Sequence, residues 1–316
     1  MSGAIIGAVL LLFAPVLPAQ NYPVKPVRMV VGGVGGGSDF VARLIAPALA
    51  TGLGQPLIVD KRGGGVYAAE IVATAPPDGY TLLFYGSNIW LAPFLREHVQ
   101  YDPVKDFAPV TLAASSPSIL VVHPSLPVKS VGELLALANA RPGQLNYATG
   151  PAGAGNHLAA EMFRAMTGAK VVRIPYKGNA GGLNAVMGDE VQFMLPSAGA
   201  AVTPLVKSGR LRALAVTSAQ PSPLFPGLPT IAASGVPGYE AASILGIFAP
   251  ARSPATLIER LHREIVRALE GEGVKEKLSN IGEVAVASTP QELAAAVKSE
   301  MARYGKLIRE AGIREE

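Results

Sequence analysis

The stretch Val27-Arg28-Met29-Val30-Val31-Gly32-Gly33-Val34-Gly35-Gly36-Gly37-Ser38-Asp39-Phe40-Val41-Ala42-Arg43-Leu44-Ile45 holds the first decision about the fold. Its opening is apolar on nearly every position, as in a strand buried on both faces of a sheet. Its close reads as a helix. The glycines between them permit positive φ angles and let a ligand come close to the backbone. Free N–H groups in the first turn of the helix, at the positive end of its dipole, favour an anion there. Ser38 and Asp39 have a second possible use, as caps of the same helix.

Moving outward, the same pattern recurs. Leu145-Asn146-Tyr147-Ala148 reads as a strand and runs into Thr149-Gly150-Pro151-Ala152-Gly153-Ala154-Gly155-Asn156-His157, followed by a helix over Leu158 to Met166. Two such units suggest that each half of the molecule supplies one anion-binding helix N-terminus to a shared cleft. His157 falls in the first turn, either touching ligand or simply packed.

Further strands are expected at Pro56–Val59, Thr81–Tyr85, Ile119–Val122, Val171–Ile174, Val191–Leu195, Leu211–Thr217 and Leu245–Phe248. They alternate with segments of helical period, an order that argues for parallel sheets covered by helices. Ser130-Val131-Gly132-Glu133 and Thr289-Pro290-Gln291-Glu292 have the form of capping boxes. Leu257, Leu261, Ile265 and Leu269 lay one apolar stripe along a helix. Pro- and Gly-rich stretches at residues 75–79, 220–229 and 235–238 read as surface connections. A chain of 316 residues, 49% of them hydrophobic and 16% charged, exceeds one comfortable domain, so two lobes are expected.

Composition narrows the chemistry. With no cysteine, thiolate catalysis, disulfides and thiolate metal sites are excluded. His98, His123, His157 and His262 lie far apart without HExxH spacing, so no metal site is expected. A net charge of +4, spread over helix faces, gives no nucleic-acid patch. No GxSxG elbow or GxxxxGK[ST] loop occurs. One enzyme reading has support: Gly33-Val34-Gly35-Gly36-Gly37-Ser38 approximates GxGxxG after a strand, and Asp60 ends the next strand where a ribose-binding acid would sit. That alternative is a nicotinamide-dependent oxidoreductase. Residues 1–20 read as a secretory signal, with an apolar core from Ile5 to Leu17 and cleavage near Ala19 or Gln20. No other segment has the length and apolarity of a membrane span.

Taken together, several stretches resemble the Bug family, the TctC-like substrate-binding proteins of tripartite tricarboxylate transporters. They are Tyr22-Pro23-Val24-Lys25-Pro26-Val27-Arg28, the first glycine loop through Arg43, Gly54-Gln55-Pro56, Pro77-Asp78-Gly79-Tyr80-Thr81-Leu82, Tyr101-Asp102-Pro103-Val104-Lys105-Asp106-Phe107, Pro142-Gly143-Gln144-Leu145-Asn146-Tyr147, His157-Leu158-Ala159-Ala160-Glu161, Pro175-Tyr176-Lys177-Gly178 and Leu211-Arg212-Ala213-Leu214-Ala215-Val216-Thr217. Order and spacing make the likeness specific, and it runs from about Tyr22 to Gly312.

The resemblance implies an α/β, periplasmic binding protein type II fold, with two α/β lobes joined by crossover strands around a ligand cleft. The expected division places residues 22–114 and 245–316 in one lobe and residues 115–244 in the other. It implies capture of a small organic carboxylate without catalysis or cofactor, by a monomer that hands its cargo to the membrane components of a transporter. A partner role for a sensor is the other outlet for the same fold. The ligand-binding residues carried over are Gly36, Gly37, Ser38 and Asp39 on one side and Ala154, Gly155, Asn156 and His157 on the other, with Ser87 and Asn88 on a third loop. Where relatives often have an acid after the strand near Val191 to Met194, this chain has Leu195-Pro196-Ser197, which points away from amino acids.

Overall fold

A computed structural model describes residues 22–32, 37–62, 65–199 and 202–314. The expected signal segment and Gly36 lie outside the described residues. The element order is β1 (Val27–Val31), α1 (Gly37–Leu53), β2 (Leu57–Lys61), α2 (Gly65–Ala73), β3 (Thr81–Gly86), α3 (Asn88–Leu95), β4 (Phe107–Ser116), β5 (Ile119–Val122), α4 (Val131–Ala140), β6 (Asn146–Thr149), α5 (Gly155–Thr167), β7 (Val172–Pro175), α6 (Asn179–Met187), β8 (Phe193–Met194), α7 (Val202–Lys207), β9 (Arg212–Val216), β10 (Ser243–Pro250), α8 (Ala255–Glu270), α9 (Glu272–Asn280), β11 (Val284–Ala285) and α10 (Pro290–Glu310).

Among the described residues the strands form two sheets, in the orders β11-β4-β10-β3-β1-β2 and β7-β6-β8-β5-β9. The two lobes are built on these sheets. Where strand, helix and strand follow one another closely, pairing is parallel, as between β1 and β2, β1 and β3, and β6 and β7. The strands that carry the chain across break the expected all-parallel order: β10 runs antiparallel to β3 and β4, and β5 antiparallel to β8 and β9. Both sheets are therefore mixed. The chain passes between them at Pro117–Ser118 and again between β9 and β10. The expected boundaries at 114/115 and 244/245 fall inside β4 and β10.

Each expected strand is present to within a few residues, whereas β4 and β11 were not expected. β4 is Phe-Ala-Pro-Val-Thr-Leu-Ala-Ala-Ser-Ser, in which proline and small residues dilute the β-branched signal. It is nonetheless central, between β10 and β11. β11 is two residues long, too short to give a period.

Local signals match the helix ends. Thr289 and Glu292 make a reciprocal capping box at α10. At α4, Ser130 Oγ accepts from Glu133 N, but the Glu133 carboxylate accepts from Lys129 N instead of the cap residue. The stripe on α8 buries Leu261, Ile265 and Leu269 fully beside α1 and the first sheet. Each such side chain contributes roughly 1.5–3 kcal/mol. A second core, which includes Trp90, Phe107, Leu120, Tyr147, Phe163 and Ile308, draws on both sheets, so the lobes share apolar packing around α3, α5 and α10. A single buried hydroxyl ties the two crossings: Thr217 Oγ1 accepts Ser118 N–H at 2.7 Å and points its proton toward the carbonyls of Ser118 and Ala241, each at 3.0 Å.

Candidate functional site

Where the crossings meet the sheets lies a cavity of about 290 Å³. Its walls come from three helix starts. β3 ends at Gly86, and Ser87-Asn88 lead into α3. β6 ends at Thr149, and the loop through Gly150, Pro151 and Ala154 leads into α5 at Gly155 and Asn156. Gly178 and Asn179 open α6. Ser118, Ser197 and Ser243, on or beside the crossing segments, and Tyr304 of α10 complete the polar wall, while Leu91 and Leu158 supply apolar surface.

The α5 loop is held from below. Asn156 Oδ1 accepts Gly150 N–H at 3.0 Å, and its Nδ2 donates to Asn179 Oδ1 at 2.8 Å, so one amide ties the starts of α5 and α6 together. A Cβ at Gly150 would sit 2.9 Å from that Asn156 oxygen, so the close approach needs glycine. Gly155 is the opposite case: a Cβ there meets nothing within 4 Å. Arg173 donates to Thr149 Oγ1 at 2.9 Å and to Gly150 O at 3.1 Å, which places a guanidinium behind the loop.

His157 faces away from the cavity. Its side chain is 3% exposed, its Nδ1 accepts Gly153 N–H at 3.1 Å, and its Nε2 lies 3.9 Å from Glu161. Burial, with Arg173 next in size, pushes its pKa down to about 4, so the ring is neutral and acts as a strut. Glu161 in turn is hydrogen-bonded by the Tyr147 hydroxyl and by Arg164, at 2.9 and 2.8 Å from the latter's Nε and Nη2.

The first glycine loop has a different setting. Gly37, Ser38 and Asp39 do not line the cavity. A Cβ at Gly37 would meet Glu283 Oε1 at 3.2 Å, and Asp39 is ion-paired with Arg43 at 2.9 Å and Lys61 at 3.8 Å. Two acids thus stand at the start of α1. The Tyr85 ring lies between glycines, since a Cβ at Gly32 or Gly65 would fall 2.5 or 2.9 Å from it. Asp60 is taken up by Arg62 at 3.0 Å and Arg28 at 3.5 Å. The acid expected for a nucleotide ribose is therefore already paired.

Of the sequence candidates, Ser87, Asn88, Ala154, Gly155 and Asn156 come together on one cavity. Ser118, Gly178, Asn179, Ser243 and Tyr304 join them without having been singled out. Gly178 closes a stretch already matched to the family, and Ser197 stands at the departure from the usual acid. Ser118, Ser243 and Tyr304 carried no local signal because topology alone brings them there. Among the described residues no group of His, Asp and Glu is placed to hold a metal ion, and no helix is long and apolar enough to cross a membrane.

This architecture has close counterparts. Residues 41–313 match the model of the tripartite tricarboxylate transporter family receptor, TctC. The chain belongs to that family. Among TctC relatives, Protein BugT of Bordetella pertussis is 35% identical over 304 residues, which cover 95% of this chain and 93% of BugT. R. palustris Rpa4515 with adipate is 37% identical, with a TM-score of 0.76 over 93% of this chain and 99% of that one. MatC from Rhodopseudomonas palustris with bound malate is 28% identical, with a TM-score of 0.72 over 91% of this chain and 100% of MatC. Family and structural neighbours are binding proteins, and those of TctC type are periplasmic. The nicotinamide reading has no support in these matches.

Proposed function

We propose that this TctC-family receptor captures a small organic carboxylate in the cavity at the starts of α3, α5 and α6, changes nothing covalently, and delivers it to a tripartite tricarboxylate-type transporter. The observation that carries the reading is the convergence of helix N-termini on a cavity whose described lining has no charged side chain. Such termini offer N–H donors and the positive ends of dipoles to an anion. With no acid in the wall, an α-ammonium group would find no counter-charge, which favours plain carboxylates over amino acids. A volume of about 290 Å³ sits at the small end of ligand pockets. Adipate and malate, present in the R. palustris relatives, set the chemical scale.

The lobe boundaries that go with this reading follow the sheets: residues 22–116 and 243–314 in one lobe, 117–242 in the other. Closure of the two around ligand is the hinge motion open to such a fold. The protein works as an exported monomer with its leader, residues 1–20, removed. Charge-assisted hydrogen bonds contribute roughly 1.5–3 kcal/mol each, so three or four support micromolar affinity after ordering costs. The test is a thermal-shift screen of the chain lacking residues 1–20 against mono-, di- and tricarboxylates, amino acids, aromatic acids and NAD. A rise in Tm with carboxylates, and none with NAD, is expected. A rise with NAD alone overturns the reading.

A further inference from the structure

Behind the α3 side of the cavity lies a buried acid. Glu300 of α10 is 3% exposed, one helical turn before Tyr304, which lines the cavity. Trp90 of α3 donates its indole N–H to Glu300 Oε2 at 2.8 Å. Ser87, itself part of the cavity wall, stands in the same turn of the chain as Trp90 at the start of α3, and its hydroxyl acts to lower the pKa of the same carboxyl group. Ser87 has one proton and two lone pairs. Beside an ionised Glu300 that proton is drawn to the carboxylate, and Ser87 turns lone pairs toward the cavity. Beside a protonated Glu300 the acid can donate to Ser87, and the hydroxyl proton becomes free for a ligand carboxylate.

We propose that Glu300 takes up one proton from solvent when the cavity takes up an anion, so that ligand capture is coupled to proton binding through Ser87. Glu300 is then a positioning residue, since Ser87 and not Glu300 faces the ligand. This rests on the carboxylate reading of the cavity. An anion arriving beyond Ser87 adds a like charge to a carboxyl group that has little water, and protonation removes the repulsion.

The surroundings leave few other groups to absorb that charge. Arg303 of α10, one turn on, is engaged by Glu240, with Nη1 at 3.0 Å from the carboxylate, so the two largely offset each other. Burial pushes the pKa of Tyr304 up and Glu300 pushes it further, so it stays neutral. α3 and β4, which pack on α10, have no titratable side chain. On α5, His157, Glu161 and Arg164 face one another. Burial pushes the Glu300 pKa up to about 7, within reach of solution pH.

The probe is adipate, titrated calorimetrically into the chain lacking residues 1–20 from about pH 6.5 to about pH 8.5, above the carboxyl range of the ligand itself. Affinity is expected to fall with rising pH, approaching a tenfold loss per pH unit above the Glu300 pKa. Near pH 7 the heat should differ between phosphate and Tris, which release protons with different enthalpies. E300Q keeps an oxygen for Trp90, and its affinity should be flat with pH and its heat the same in both buffers. Wild-type binding that is flat with pH and independent of buffer overturns the proposal while leaving the carboxylate reading intact. A pH slope retained in E300Q also overturns it. If no carboxylate binds at all, the reading of the cavity falls and the proposal with it.

Discussion

The two strand, glycine-loop, helix-start units look alike in sequence and differ in what surrounds them. At the second, Gly155 opens α5 onto unfilled space, the first turn of the helix has no acid, and Arg173 stands behind the loop. At the first, Asp39 occupies the opening turn of α1, Glu283 approaches Gly37, and the flanking Gly32 makes room for the Tyr85 ring. Among the described residues, the start of α1 has acids of the protein's own beside it, Asp39 and Glu283, and the first turn of α5 has none. One pattern thus has two environments: the start of α5 opens onto the cavity, while beside α1 the described glycines Gly32 and Gly37 adjoin the Tyr85 ring and the Glu283 carboxylate. An anion site needs the glycines and also the absence of competing acids.

The largest effects are expected from filling each loop. Gly155→Leu should cost at least about 100-fold in carboxylate affinity by thermal titration, because the side chain enters the cavity, while Tm stays within a few degrees. Gly32→Ala should do the reverse. Its Cβ would lie 2.5 Å from the Tyr85 ring, which Gly65 confines on another side, so unfolding by urea should show a loss of about 1–3 kcal/mol. Equal affinity losses at the two positions would show that both loops serve the ligand.

Much of this fold is legible in the sequence. Strands with runs such as Val-Arg-Met-Val-Val or Ile-Leu-Val-Val announce themselves because both faces are buried and no polar alternation is needed. β4 escapes notice because Ala108, Pro109 and Ser115 carry little strand preference, and it is fixed by partners distant in the chain, Ser243 to Pro250 among them. The α5 loop is legible as a candidate site because glycines follow a strand and precede a helix, whereas Ser87-Asn88 come from the family resemblance alone. Ser118, Ser243 and Tyr304 are not legible, because they meet only after the chain has crossed between sheets twice. His157 shows the limit of reading from position: its place in the first turn suggests the cavity, yet the Gly153 N–H draws the ring the other way.

A milder change sharpens the electrostatic side of the contrast. Glu283 Oε2 is buried without a hydrogen-bond partner, and burial pushes the group's pKa up to about 7. A raised folded-state pKa means that its contribution is fully favourable below the unfolded value and is lost as pH rises through about 7. Glu283→Gln removes that loss. Its stability relative to wild type should therefore grow between about pH 5 and pH 8, to a gain on the order of 1–3 kcal/mol in urea unfolding. A gain independent of pH would place its origin in packing instead of charge.

The smallest effect is expected behind the other loop. Arg173→Met keeps much of the side-chain bulk but removes the guanidinium from Thr149 and Gly150. Arg173 does not line the cavity, so its contribution to an anion there is long-range and partly screened. Affinity should fall about threefold at low ionic strength and by less near 0.5 M salt, where the Debye length is only about 4 Å. A salt-independent loss would instead mean that Arg173 acts by holding the loop in shape through its two hydrogen bonds. The second loop would then owe its anion preference to backbone dipoles alone, and its difference from the first would rest on the missing acids and not on an added cation.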